Sequence, residues 1–146
     1  MDAYRIIGIE SSPYAVKVRA VMRYRHLPHR WIARMPQFFT ETADVRPLIM
    51  PVVQFPDGTY HTDSTPIIYR LEDLHPGQRS VLPDIPALAF VAALIEDFAD
   101  EWVTKALFNY RFSSAADQQA GAAWVMDDAY PDLAHEELAH VVTSFI

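Results

Sequence analysis

The stretch that most restricts this chain is Tyr4-Arg5-Ile6-Ile7-Gly8-Ile9, followed at once by Ser11-Ser12-Pro13. The first run is short, apolar and β-rich, and reads as a strand. The second is a helix start: serine caps the free N–H groups, and proline fits the first helical position, where its missing N–H removes nothing. Tyr14, Val18, Val21 and Met22 then recur at i, i+4, i+7 and i+8, which is one face of a helix. Leu27-Pro28 ends that helix, because the residue before a proline is pushed out of helical geometry. Arg30 to Ala33 reads as a second strand. A strand, a capped helix and a strand in so short a span form a βαβ unit with parallel strands.

The following residues extend this unit. Gln37 to Val45 is an irregular helix candidate, and Met50 to Phe55 is a strand that opens on Pro51. Pro56-Asp57-Gly58 supplies turn chemistry, and Thr59 to Thr62 returns as a hairpin partner. Asp63-Ser64-Thr65-Pro66 is a second capped helix start, with Ile67, Ile68, Leu71 and Leu74 along one stripe. The expected order is β-α-β-α-β-β-α, an α/β fold in residues 1–76. Residues 77–86, with Gly77, Pro83 and Pro86, read as a linker. In residues 87–146, Leu88, Val91, Ile95, Phe98, Trp102 and Ala106 mark a long amphipathic helix to about Tyr110. Ser113 or Ser114 caps a second helix to about Asp128, and Asp132 to Phe145 is a third.

Charge separates the two parts. Residues 1–76 carry a net +1 and residues 77–146 a net −8, together the −7 of the 146-residue chain. That balance argues against nucleic acid as a partner, since phosphate binding needs a concentrated basic surface. No apolar run reaches the ~20 residues that span a bilayer, so no membrane partner is expected. The N-terminus lacks the basic and apolar regions of a signal peptide. Cysteine is absent, which excludes disulfides and a thiol nucleophile and fits a cytoplasmic protein.

Three motifs carry a family resemblance. Ser12-Pro13-Tyr14-Ala15-Val16-Lys17-Val18-Arg19 is similar to the segment opening the first helix of omega-class and bacterial cytosolic glutathione transferases. Met50-Pro51-Val52-Val53 resembles that family's cis-proline strand, and Asp63-Ser64-Thr65-Pro66-Ile67-Ile68-Tyr69 its acidic-Ser helix start. The resemblance implies a thioredoxin-like N-terminal domain followed by an all-α region. It also implies glutathione as co-substrate, a small electrophile, a homodimer and no metal. The chain departs from the family in one respect: it has room for three C-terminal helices where five or six are usual, so the helical region looks shortened. The alternative reading is a non-catalytic module of the same family, used for protein–protein assembly.

The resemblance assigns roles residue by residue. Counting back five residues from Lys17 selects Ser12 as the hydroxyl that meets the thiol, with Ser11 the second candidate and Tyr14 the third, and Ser11 and Tyr14 are both expected among the residues that bind glutathione. A thiol titrates near ~8.5, and lowering that by two units needs about 2.7 kcal/mol of thiolate stabilisation. A hydroxyl donating to the anion supplies roughly 1.5–3 kcal/mol, and a helix N-terminus about 0.3–1. A serine at a helix start is therefore sufficient in magnitude. Met50 and a cis Pro51 would pair with the cysteinyl part of glutathione as an added strand does. Ser64 would donate to the γ-glutamyl carboxylate and Asp63 would face the α-ammonium, although plain helix capping also explains both residues. The glycyl carboxylate would fall to a residue between Arg34 and Arg46.

Other constellations read as ordinary surface or core. His135 and His140 lie five apart, about 140° around a helix, where a zinc-protease pair needs four. Glu96, Asp97, Asp100 and Glu101 read as a solvated face, with the lining of a substrate cleft or a dimer contact as the alternatives, and Phe98, Trp102 and Phe108 read as core. The basic residues from Lys17 to Arg34 read as exposed faces of a helix and a strand.

Overall fold

The computed structural model describes residues 3–33, 35–77, 79–134 and 137. Strand β1 (Tyr4–Ile7) lies at the centre of the first unit. It is followed by α1 (Pro13–Tyr24), β2 (His29–Ile32), α2 (Met35–Glu41), β3 (Val52–Gln54), β4 (Tyr60–Thr62) and α3 (Ser64–Leu74). The four strands form one sheet in the order β2-β1-β3-β4. Ile6 lies opposite Trp31 in a parallel pair and opposite Val53 in an antiparallel one, and Val53 lies opposite His61. This is a thioredoxin-like α/β unit, in the order of elements expected from the sequence.

Because successive strand residues face opposite ways, Ile6 and Val53 point to one side of the sheet and Ile7 and Val52 to the other. On the first side they meet Val18 and Met22 of α1 and Ile67, Ile68 and Leu71 of α3. On the second they meet Phe38 of α2. Each such buried side chain contributes on the order of 1.5–3 kcal/mol relative to leaving it in water. Leu74, expected on the α3 stripe, is 49% exposed at the last residue of the helix. Gly8 is required by packing: a Cβ there would come within 2.8 Å of the Ala15 Cβ, so glycine is what lets α1 close onto β1.

The basic residues of α1 divide in a way the sequence did not suggest. Arg25, expected on an exposed face, is 1% exposed and ion-paired at 2.8 Å with Glu72 of α3. It also donates to the His75 carbonyl, while Glu72 accepts from the Val81 N–H at 3.0 Å. The pair ties the end of α1 to α3 and to the chain leaving it.

The second part is helical: α4 (Pro86–Phe98), a π-helical turn at Ala99–Val103, α5 (Thr104–Phe112) and α6 (Ala115–Ala129). The long helix expected from Leu88 to Tyr110 is therefore interrupted by one wide turn. Its apolar stripe is not core. Phe98 is 56% and Trp102 63% exposed, and Leu88, Val91, Ile95 and Phe108 are exposed too. Among the described residues no element packs over that stripe, so amphipathic spacing is present without a covering partner. Ser114 caps α6 by accepting from the Asp117 N–H, and Ala122, Met126 and Ala129 are buried. The third helix expected at Asp132 to Phe145 lies largely outside the described residues, as do His135 and His140.

Candidate functional site

Three segments meet around a cavity of about 590 Å³: the start of α1, the residues before β3, and the start of α3. Ser12, Tyr14, Met50, Asp63, Ser64 and Thr65 line it, and Glu96, Asp97, Asp100 and Glu101 close it from the helical side. Of the sequence candidates, Ser12, Tyr14, Met50, Asp63 and Ser64 thus come together at one site, and Pro51 is buried beneath.

Ser12 is the N-cap of α1, its Oγ accepting from the Ala15 N–H at 3.3 Å. A serine hydroxyl has one donor and two acceptor lone pairs. The cap uses an acceptor, so the O–H remains available to a group in the cavity. Ser11 differs. It is buried outside the cavity lining, and its backbone N–H donates to Asp128 of α6 at 2.7 Å. The two adjacent serines therefore face different neighbours, one the cavity and one the helical part. The Tyr14 hydroxyl is already engaged, donating to the Asp100 carbonyl at 2.8 Å.

The peptide bond between Met50 and Pro51 is cis, as the motif led us to expect, and so is the one between Arg46 and Pro47. Asp63 caps α3 by accepting from the Thr65 N–H at 3.3 Å, with its own backbone at a φ of 71°. That left-handed conformation is uncommon for a non-glycine residue and is best tolerated by Asp and Asn. Ser64, the first residue of α3, is buried against the cavity. At this helix start the Thr65 and Ile67 N–H groups both go to Asp63 and Pro66 has none, which leaves the Ser64 N–H as the backbone donor suited to a carboxylate.

The acidic cluster expected to be a solvated face divides. Asp97 and Glu101 are exposed, whereas Glu96 and Asp100 turn inward to Lys17. The Lys17 ammonium donates to Glu96, to Asp100 at 2.6 Å and to the Thr65 hydroxyl at 3.2 Å, and Thr65 itself donates to Glu96. Burial works against the Lys17 ammonium, but the bonds to Asp100 and Glu96 outweigh it and hold its pKa above the ordinary lysine value. Burial likewise works against the Glu96 carboxylate, and the bonds from Lys17 and Thr65 hold its pKa below the usual range. Sequence reasoning missed this cluster, and the only available signal was one lysine and two carboxylates lacking partners on their own helices.

The π-helical turn contributes too. At a π-turn the regular i→i+4 ladder is displaced. Here the Asp100 carbonyl accepts from both Tyr14 and the Thr104 hydroxyl, the latter at 2.7 Å. The wide turn thus sits against the start of α1. Among the described residues there is no group of three or more His, Asp or Glu side chains able to hold a metal ion.

The family model described as glutathione S-transferase, N-terminal domain, matches residues 6–79, half of the chain. The chain belongs to the glutathione S-transferase family. A probable glutathione S-transferase, GSTU6, of Oryza sativa subsp. japonica is 26% identical over 128 residues, which is 82% of this chain and 53% of the rice protein. The chain therefore spans about half the length of that curated relative. A glutathione S-transferase from Methylobacterium radiotolerans, solved with glutathione sulfonate, aligns at a TM-score of 0.66 and 20% identity. That alignment covers 99% of this chain and 90% of the other. A glutathione transferase homologue from Sulfitobacter with bound glutathione aligns at 0.63 and 11% identity, over 99% of this chain and 83% of the other. At these identities the structures establish a shared fold, a thioredoxin-like domain followed by helices.

Proposed function

We propose that the chain binds glutathione in the 590 Å³ cavity and transfers its thiolate to a small electrophile, as a cytoplasmic enzyme acting as a homodimer. Residues 1–76 carry glutathione, residues 77–86 link, and the helices of residues 87–146 border the electrophile. Ser12 donates its O–H to the sulfur, and Met50 pairs with the cysteinyl backbone. Ser64 receives the γ-glutamyl carboxylate at the start of α3, and Asp63 faces the ammonium. The thiolate sulfur attacks the electrophilic carbon, the leaving group departs with its electron pair, and the thiol proton goes to solvent. The observation that carries the reading is that Ser12, Met50, Asp63 and Ser64, from three separate segments, line one cavity. A second copy of the chain is supported by the uncovered apolar stripe from Leu88 to Phe108.

The test is Ser12→Ala. Losing a hydroxyl that donates to an anion is worth roughly 1.5–3 kcal/mol, so turnover of a nitro-activated aryl chloride should fall about ten- to hundredfold. Calorimetric affinity for glutathione below its thiol pKa should change little. Unchanged turnover would remove Ser12 from the role, and no heat of glutathione binding to the unsubstituted protein would remove the whole reading.

A further inference from the structure

The cavity has an electrostatic difficulty that its own lining creates. Five carboxylates border it, Asp63, Glu96, Asp97, Asp100 and Glu101, and among the described residues no basic side chain does. On the Ser11 side, Asp128 of α6 adds a sixth negative group close by. A glutathione thiolate formed there would be repelled from the helical side and from Asp63, and each unopposed carboxylate favours the neutral thiol. Yet two of the five are turned onto one ammonium. Lys17 of α1 ion-pairs with both Glu96 and Asp100 from just outside the lining, and holds the Thr65 hydroxyl at 3.2 Å.

We propose that Lys17 is the charge-setting residue of this site, the cation whose pairing with Glu96 and Asp100 lets the cavity carry a thiolate. The inference rests on the cavity being the glutathione site. Lys17 acts through the two carboxylates and is a positioning residue: it touches neither sulfur nor electrophile. It also joins the three parts the site needs. Its own helix begins at Ser12, its hydroxyl partner Thr65 follows Ser64, and its carboxylate partners stand on α4 and the π-turn. The groups facing it are therefore Thr65 from α3, Glu96 from α4 and Asp100 from the π-turn. Tyr14 of its own helix is bonded to the Asp100 carbonyl. The raised Lys17 pKa agrees with an ammonium that stays charged throughout the neutral range.

The experiment reads thiolate formation directly, by the ultraviolet absorbance of glutathione bound to the full chain, titrated against pH at saturating ligand. Lys17→Met should raise the titration midpoint by about one pH unit. That is the size expected for losing a unit charge roughly 10 Å away at an effective dielectric near ~20. Lys17→Arg should restore the midpoint. Glu96→Gln, which frees the ammonium from one partner, should move it the other way. Affinity for S-methylglutathione, which has no thiol to ionise, should change less than about threefold in each variant. If Lys17→Met does not fold, Lys17→Met/Glu96→Gln keeps the cavity's net charge and leaves one carboxylate, Asp100, in place of two without the ammonium, and it should titrate within about half a unit of the unsubstituted protein.

A Lys17→Met midpoint unchanged beside weakened S-methylglutathione binding would mean a structural role alone and would overturn the inference. So would a doubly substituted protein whose midpoint rises a full unit. Failure of the unsubstituted protein to bind S-methylglutathione would instead overturn the glutathione reading, and is distinguished by that result alone.

Discussion

Replacing Glu72 by leucine should strip Arg25 of its counter-ion in the interior of the sheet unit. Arg25 is fully buried, the Glu72 side chain is 10% exposed, and their ion pair is 2.8 Å long. Removing one partner of a buried pair costs about 3–5 kcal/mol, because a charge is left where water cannot solvate it. Here the Val81 N–H also loses its acceptor, which places Glu72→Leu toward the upper end. Arg25→Met leaves a carboxylate near the rim, where it can be partly hydrated, and should cost about 2–4 kcal/mol. The doubly substituted chain keeps the volume apolar and strands neither charge. It should therefore lose no more than about 3 kcal/mol, well short of the two single losses added together. Against a total stability of roughly 5–15 kcal/mol, either single change is large, and Glu72→Leu should lower the melting temperature by about 6–15 °C. Urea unfolding followed by tryptophan fluorescence gives all four free energies. Losses that add to within about 0.5 kcal/mol would show that the two residues do not act as a pair, and would refute the reasoning.

Two further outcomes follow. The carboxyl pKa of Glu96 is held below its ordinary value of 4.5, so its stabilising effect is fully present above that pH and is lost as pH falls through the depressed value. Glu96→Gln should start less stable at neutral pH and lose less on acidification. The melting temperatures of the two proteins should converge as pH falls through the depressed Glu96 value, and parallel curves would contradict the ion pair. The uncovered stripe of α4 and α5 makes the second prediction: sedimentation at micromolar concentration should give twice the chain mass for the unsubstituted protein and the single-chain mass for Phe98→Glu. A single-chain mass for both would rule out a second copy as what covers the stripe.

The residues differ in how legible their roles were. The strand before Ser12-Pro13, the hairpin at Asp57-Gly58 and the start of α3 at Asp63 could all be read, because each depends on neighbours within a few positions. The same holds for Ser12 as a cap, since its partner is the Ala15 N–H three residues on. Lys17 could not be read, because its carboxylate partners lie 79 and 83 residues further along the chain. Arg25 was misread for the same reason. Nothing local distinguishes an arginine that will meet Glu72 in the interior from one that will face water.

Periodicity misled in the helical part. The spacing from Leu88 to Trp102 shows that one face is apolar, and only the arrangement of elements decides whether anything covers it. The π-turn at Ala99–Val103 carried no glycine, proline or break in pattern, so the helix read as continuous. By itself, then, the sequence determined the elements, their order and the capped serine loop, because caps, turns and alternation act over a few residues. The tertiary structure decided which of two adjacent serines faces the cavity, and that one lysine draws the acidic helix against it. Those outcomes depend on distances between segments far apart in the chain, which no local pattern encodes.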